Sequence, residues 1–339
     1  MDLRGARQDK MTVSKPIASL SLDLDNKWSY LKTHGDPGWE SFPSYLHILV
    51  PRVLDFLEMQ KLAITFFIVG QDAALEKNYG LLRSIAAAGH EIGNHSFHHE
   101  PWLHLYREAE LEAEVMLAEE HIEHATGERP VGFRAPGYSL THAVLRVLAR
   151  RGYQYDASTL PSLLAPIARA YYFTTARLTP EQRRQRKWLG GTFRDGLRPI
   201  RQYRWQMEGG TLMEIPVTTM PIFKVPIHVS YLMTLSILAR NLALEYFNTA
   251  LKLCRLMGIQ PSIVLHPTDF LGCDDVGDLS FIPGMSFPNE TKMEFVSQII
   301  GALTKRFEVL TLRQHAQAAA QFPELPSLIA RFSNAISPD

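Results

Sequence analysis

Apolar residues in this chain come in short runs, and longer stretches of helical period lie between most of them. Ile17–Leu22, Ala63–Val69, Gly132–Arg134, Leu212–Val217 and Ser262–Leu265 read as buried strands. The clearest helix covers Glu108–Ala125: Leu111, Val115, Ala118 and Ile122 recur at helical spacing, and Gly127 with Pro130 supplies the stop. A second helix is expected over Leu75–Ala88, ending at Gly89, and a third from a Thr141 cap to about Arg151 before Gly152. Alternating strands and helices predict an α/β fold with a mostly parallel sheet and helices outside it, open or closed into a barrel. Chemistry is then expected in the loops at the carboxyl ends of the strands.

Two segments break the pattern. Ile167–Trp205 carries ten basic residues (Arg169, Arg177, Arg183, Arg184, Arg186, Lys187, Arg194, Arg198, Arg201, Arg204) against Glu181 and Asp195, interleaved with Tyr171, Tyr172, Phe173, Trp188 and Trp205. Pro216–Ala243 is largely apolar but interrupted by Pro221, Lys224 and Pro226, so one straight membrane helix is excluded. It is expected to pack over the barrel or touch lipid. The domain reading is an N-terminal extension over 1–16, a barrel over 17–320 with a basic insertion at 160–210, and a tail over 321–339 read as a weakly amphipathic helix and frayed end.

Composition adds bounds rather than identity. The 339 residues are 46% apolar and 21% charged, the balance of a chain able to bury a sizeable core. Basic and acidic residues number 35 each, so no global field favours nucleic acid or membrane, and no nucleic-acid partner is expected. Only Cys254 and Cys273 are present, too few for a disulfide framework, and the N-terminal stretch lacks a secretory apolar core. These features predict a cytoplasmic protein, with peripheral placement at the inner face of the membrane as a variant.

The candidate chemistry sits at strand ends. Asp23 and Asp25 stand at alternate positions and so share one side of a strand edge. A cation on one would leave the other free as a base; a plainly polar strand end is the competing reading. His95 and His99 lie four apart in Gly-Asn-His-Ser-Phe-His-His, the spacing at which one turn of helix brings two imidazoles to one ion, with His98 as the non-ligand. In Phe133-Arg134-Ala135-Pro136-Gly137-Tyr138, an arginine meets a Pro-Gly turn that can expose a backbone N–H to an oxyanion. The same arginine beside Asp23 would keep that base ionised; a surface ion pair is its plainer role. Asp156 follows a short strand and His266 ends an apolar one. A histidine there suits a general acid, since its unperturbed pKa of about 6.5 lies near neutrality.

These five segments, in this order, resemble the five motifs of the polysaccharide deacetylases, the NodB-homology proteins of carbohydrate esterase family 4, over about Ile17 to Leu312. The resemblance implies an irregular barrel of the (β/α)7 type. It implies that Asp23 is the catalytic base, Arg134 its orienting partner, and Asp25, His95 and His99 the metal ligands. It further implies that the N–H after Pro136, at Gly137 or neighbouring Tyr138, is the oxyanion donor, that Asp156 tunes the acid His266, and that Leu265 lines the acyl pocket. The usual adjacent Asp-Asp-Gly is here Asp23-Leu24-Asp25-Asn26, Pro-Tyr-Gly is Pro136-Gly137-Tyr138, and Asp156 lacks a following tryptophan. The separated aspartates are similar to a subgroup that includes bacterial peptidoglycan-type deacetylases and the deformylase of the aminoarabinose lipid pathway.

The expected function is metal-dependent removal of an N-acyl, chiefly N-acetyl, group from an amino sugar. The expected cofactor is Zn2+ or a similar ion such as Co2+, Ni2+ or Mn2+. The basic, aromatic insertion motivates a lipid-linked or nucleotide-linked sugar precursor and contact with an anionic membrane surface. The alternatives are an amide hydrolase or deformylase acting on another small carbonyl compound, and a non-catalytic carbohydrate-binding barrel.

Overall fold

The computed structural model describes residues 15–185, 195–208, 210–322 and 324–330. Arg186, Lys187, Trp188 and Arg194 of the basic insertion lie outside the described residues. Among the described residues ten strands form one sheet: β1 (Ile17–Asp23), β2 (Thr65–Ile68), β3 (Glu91–Asn94), β4 (Gly132–Phe133), β5 (Tyr155–Asp156), β6 (Tyr203–Met207), β7 (Gly210–Glu214), β8 (Ser262–Leu265), β9 (Glu308–Leu310) and β10 (Ser327–Ile329). Their order is β10-β6-β7-β5-β4-β3-β2-β1-β8, with β9 also pairing β1.

Every pairing is parallel except the β6–β7 hairpin. The segment after β7 bridges the two ends of the seven-strand arc. Thr218 N–H donates to Ser262 O at 2.9 Å, and Ser262 N–H donates to Thr218 Oγ1 at 2.8 Å. The arc β1-β2-β3-β4-β5-β7 thus meets β8 and closes, giving the irregular (β/α)7-type barrel.

The central strands are buried on both faces, which is why they read as apolar runs rather than as alternation. Helices cover the outside. Glu108–Thr126 buries Leu111, Val115, Ala118 and Ile122, and Gly127 ends it in the left-handed conformation (φ 84°) that glycine adopts without a Cβ penalty. Thr141 caps His142–Arg150 by accepting from Val144 N–H. The expected helix at Leu75–Ala88 is shorter: a 3-10 turn at Glu76–Asn78 leads into Tyr79–Ala87.

Of two further segments, the first is not one straight helix, as the sequence reading held, and the second departs from that reading. Pro216–Ala243 divides into an irregular stretch and the start of the helix Val229–Leu256, which bends at Ala239 (φ −160°, ψ 106°). Beyond residue 323 the chain does not form the expected helix at Ser327–Ile329, which instead pairs parallel with β6 as β10.

Candidate metal centre

The site lies at the carboxyl ends of β1, β3, β4 and β8. Asp23 ends β1, and Leu24 N–H donates to Phe67 O at 2.9 Å, extending the ladder past the strand. The chain then turns under tight control. Asn26 caps the helix Lys27–His34 through Oδ1, while its Nδ2 donates to Asp72 Oδ1 at 2.7 Å and Ser44 Oγ at 2.9 Å. Tyr45 Oη donates to Asp25 O at 2.5 Å. These bonds fix the backbone on either side of the Asp25 carboxylate.

The two imidazoles arrive by a route the spacing did not predict. Residues 95–100 form no helix; Ser96 (φ 60°) and His99 (φ 53°) adopt left-handed backbone, and the chain bends after β3. Such values are uncommon for residues with a Cβ and persist where the surroundings hold them. Glu114, from the helix Glu108–Thr126, does the holding. Its Oε1 accepts from Phe97 and His98 N–H at 3.0 and 2.7 Å, and its Oε2 lies 2.7 Å from His98 Nδ1. His98 is thereby turned to Glu114 rather than to its histidine neighbours.

One ligand atom from each of Asp25, His95 and His99 lies within 4.8 Å of the others. His99 Nε2 is 2.8 Å and His95 Nε2 is 3.3 Å from the same oxygen, Asp25 Oδ1. His95 Nδ1 is 2.6 Å from Arg134 O, an acceptor only, so Nδ1 carries the proton. In the neutral ring Nε2 then presents a lone pair to a carboxylate oxygen, an arrangement that a cation between them resolves. His99 Nδ1 is buried without a partner among the described residues. Two imidazoles and a carboxylate with further positions left open are the donor set of a zinc-type hydrolytic site, so these residues fit a divalent ion. Burial pushes the Asp25 carboxyl up, but the two imidazoles outweigh it and hold it well below the ordinary range. Burial likewise opposes a charged His95, and Asp25 and Asp23 override it, raising its pKa.

Asp23 is held apart from the ligand cluster. Arg134, wholly buried, donates from Nη1 to Asp23 Oδ1 at 2.5 Å and to Ser21 Oγ at 2.8 Å, and from Nε to Ala157 O at 3.0 Å. Its guanidinium lies over the Phe67 ring, 4.4 Å from the centroid. The other Asp23 oxygen faces His266 Nε2 at 3.9 Å. Gly137 (φ 58°) and Tyr138 (φ 59°) both take left-handed backbone in the turn after Arg134. The Tyr138 hydroxyl is buried without a partner among the described residues, and burial together with the nearby Asp23 charge pushes its pKa up.

Two residues named from the resemblance stand elsewhere. Asp156 accepts from Ser158 Oγ at 2.6 Å and shares a buried carboxyl pair with Glu214, whose pKa is raised well above the ordinary by burial and by Asp156. Among the described residues, Asp23 is the carboxylate within 4 Å of a His266 ring nitrogen, and Asp156 is not. Leu265 is fully buried in the core and shows no surface to the cleft. Sequence reasoning missed Glu114, Glu214, Ser230 and Asp269. Of these, Asp269 alone carried a local signal, three residues after His266 in the pattern of a capping turn.

Residues 36–155 match the family model described as polysaccharide deacetylase. A peptidoglycan-N-acetylglucosamine deacetylase of Bacillus cereus is 33% identical over 144 residues, covering 41% of this chain and 61% of that protein. A peptidoglycan deacetylase of Helicobacter pylori is 30% identical over 158 residues, covering 44% of this chain and 52% of its own length. The chain thus spans less than two thirds of these curated relatives. A crystal structure assigned provisionally as a polysaccharide deacetylase of Mycobacterium smegmatis superposes over 98% of this chain and 100% of its own, with a TM-score of 0.60 at 20% identity, and shares the fold. Over residues 36–155 the chain is thus similar to the polysaccharide deacetylases.

Proposed function

We propose that the protein hydrolyses the N-acetyl amide of an amino sugar, using a divalent cation held by Asp25, His95 and His99. The observation that carries this reading is the three-ligand cluster beside a separate carboxylate, Asp23, gripped by a buried arginine. A cation bound there supplies Lewis acidity that polarises the amide carbonyl and acidifies water. Asp23, held in place by Arg134, takes a proton from the attacking water. The N–H at Gly137 or Tyr138 donates to the developing oxyanion. His266 gives a proton to the departing nitrogen as the C–N bond breaks, leaving acetate and a free amino sugar. The names of the relatives support an N-acetylglucosamine-type substrate in a glycan. The mixed imidazole and carboxylate set suits zinc, with cobalt, nickel or manganese as workable substitutes.

Acetate release from chitooligosaccharides and peptidoglycan fragments tests the reading. Asp23→Asn is expected to keep its metal and lose about 10²-fold or more in kcat; normal turnover by that variant would remove Asp23 as base.

We also propose peripheral contact with an anionic membrane surface, which would suit a lipid-linked substrate. Ile167, Leu197, Ile222 and Phe223 are each 66–69% exposed. Lys224 ties their segments together: its carbonyl accepts from Leu163 N–H, and its Nζ donates to Gly196 O and Arg198 O. Exposed apolar tips gathered on these segments match such a surface. No helix among the described residues is long and apolar enough to cross a membrane. Co-sedimentation with phosphatidylglycerol vesicles, but not phosphatidylcholine vesicles, is the expected result, and equal recovery with both would count against it.

A further inference from the structure

His266 ends β8 and caps the turn Pro267–Asp269, its backbone N–H donating to Asp269 Oδ2 at 2.8 Å. The other oxygen, Asp269 Oδ1, accepts from the Ser230 hydroxyl at 2.9 Å. That same Ser230 Oγ lies 3.1 Å from His266 Nδ1. Ser230 belongs to the first turn of the helix Val229–Leu256, and Asp269 is 1% exposed. A hydroxyl has one proton, and an ionised carboxylate only accepts. With that proton committed to Asp269, Ser230 Oγ has a lone pair to offer Nδ1. The His266 ring then carries its hydrogen on Nδ1 and leaves Nε2 facing Asp23 Oδ2, 3.9 Å away.

We propose that Ser230 and Asp269 are the positioning pair for His266, holding the ring hydrogen on Nδ1 so that Nε2 is the atom that takes up the proton Asp23 removed from water and then delivers it to the leaving nitrogen. The proposal rests on reading His266 as the acid. It gives the supporting carboxylate to Asp269, acting through a hydroxyl, because Asp156 is bonded to Ser158 and Glu214 instead. Among the described residues, Asp23 from β1, Asp269 through Ser230, and His228 at the head of the helix Val229–Leu256 face the ring, the two histidine centroids lying 5.9 Å apart. His228 is buried, and burial followed by the charge of His266 keeps it well below the ordinary histidine range, so it stays neutral beside the acid. Asp269 is linked through one hydroxyl to the far side of the ring from Asp23; burial pushes its pKa up, and both its oxygens accept, from Ser230 Oγ and from His266 N–H. In other hydrolases a histidine left in the wrong tautomer loses orders of magnitude in rate with its geometry intact.

The test is long-range proton–nitrogen NMR of histidine-labelled full-length protein, read beside kcat and KM on chitooligosaccharides. His266→Gln identifies the His266 signals. In the neutral ring, wild type is expected to show Nδ1–H and a bare Nε2. Ser230→Ala should move the ring to a mixed or Nε2–H tautomer and lower kcat by about 10- to 100-fold, part of the 10²–10⁴ that a general acid supplies, with KM unchanged. Ser230→Thr, which keeps the hydroxyl, should restore both readings, and Asp269→Asn should resemble Ser230→Ala. An unchanged tautomer in Ser230→Ala overturns the proposal, as does a changed tautomer with undiminished kcat. If wild type turns over no amino sugar, the hydrolase reading fails on its own account, while the tautomer measurement still decides whether Ser230 and Asp269 set the ring.

Discussion

Replacing Arg134 with methionine isolates the strongest electrostatic contact in the site. The guanidinium is fully buried, Asp23 is 3% exposed, and the two are joined at 2.5 Å. Methionine fills a similar volume against Phe67 but leaves the Asp23 carboxylate in a dry pocket without its cation. Breaking one side of a buried pair costs about 3–5 kcal/mol, because the surviving charge keeps its desolvation penalty. At about 2 °C per kcal/mol for a chain of this size, the midpoint of thermal unfolding should fall by about 6–10 °C. Asp23→Asn alone should also destabilise, since Arg134 then loses its partner. The double variant removes both charges and should recover most of the loss, which separates pairing from packing. Calorimetry or urea unfolding of all four proteins in the presence of a chelator gives the cycle free of any metal contribution. A loss below about 1 kcal/mol in Arg134→Met, or a double variant no more stable than the single one, would refute the reasoning.

Two further outcomes follow from groups behind the site. Burial raises Asp72 to about 7, against an unfolded value of about 3.9. The folded state therefore binds the extra proton between these values, and stability falls as pH rises through that window. Asp72→Asn lacks this loss: it should match wild type near pH 4 and exceed it by up to about 4 kcal/mol at pH 8, and parallel stability profiles in urea titrations would contradict this. Glu114 braces the backbone between His95 and His99 through Phe97 and His98 rather than through either imidazole. Glu114→Ala should weaken metal affinity by about 10- to 100-fold, as support lost behind ligands does, measured by competition with a chromophoric chelator.

Much of the frame was legible in the sequence because its signals are local. The β8 boundaries, the Thr141 cap and the Gly127 stop each depend on residues adjacent in the chain. The Asp-x-Asp strand end and the His-x-x-x-His pair were visible for the same reason, and the structure brings Asp25, His95 and His99 together. The conformation of the second pair was not legible. A spacing of four suggests a helical turn, but Glu114 captures the intervening N–H groups and the backbone turns left-handed instead. Strand β6 hid inside a segment read as a basic insertion, although Tyr203 and Trp205 are buried there, whereas its hairpin partner β7 overlaps the strand read at Leu212–Val217. Glu214 and Ser230 were invisible because their meaning comes from partners 58 and 36 residues away, Asp156 and His266. Pairings of that kind arise only once the barrel has closed.

The central claim is that Asp25, His95 and His99 hold a divalent ion that the hydrolysis needs. Metal content per chain, measured in wild type and in the His95→Ala, His99→Ala double variant after dialysis against a weak chelator, tests it most directly. The account predicts about one ion in wild type and none in the variant, with acetate release from N-acetylated glycan kept by wild type and lost by the variant. Equal metal in both proteins, or full acetate release by metal-free wild type, would contradict it.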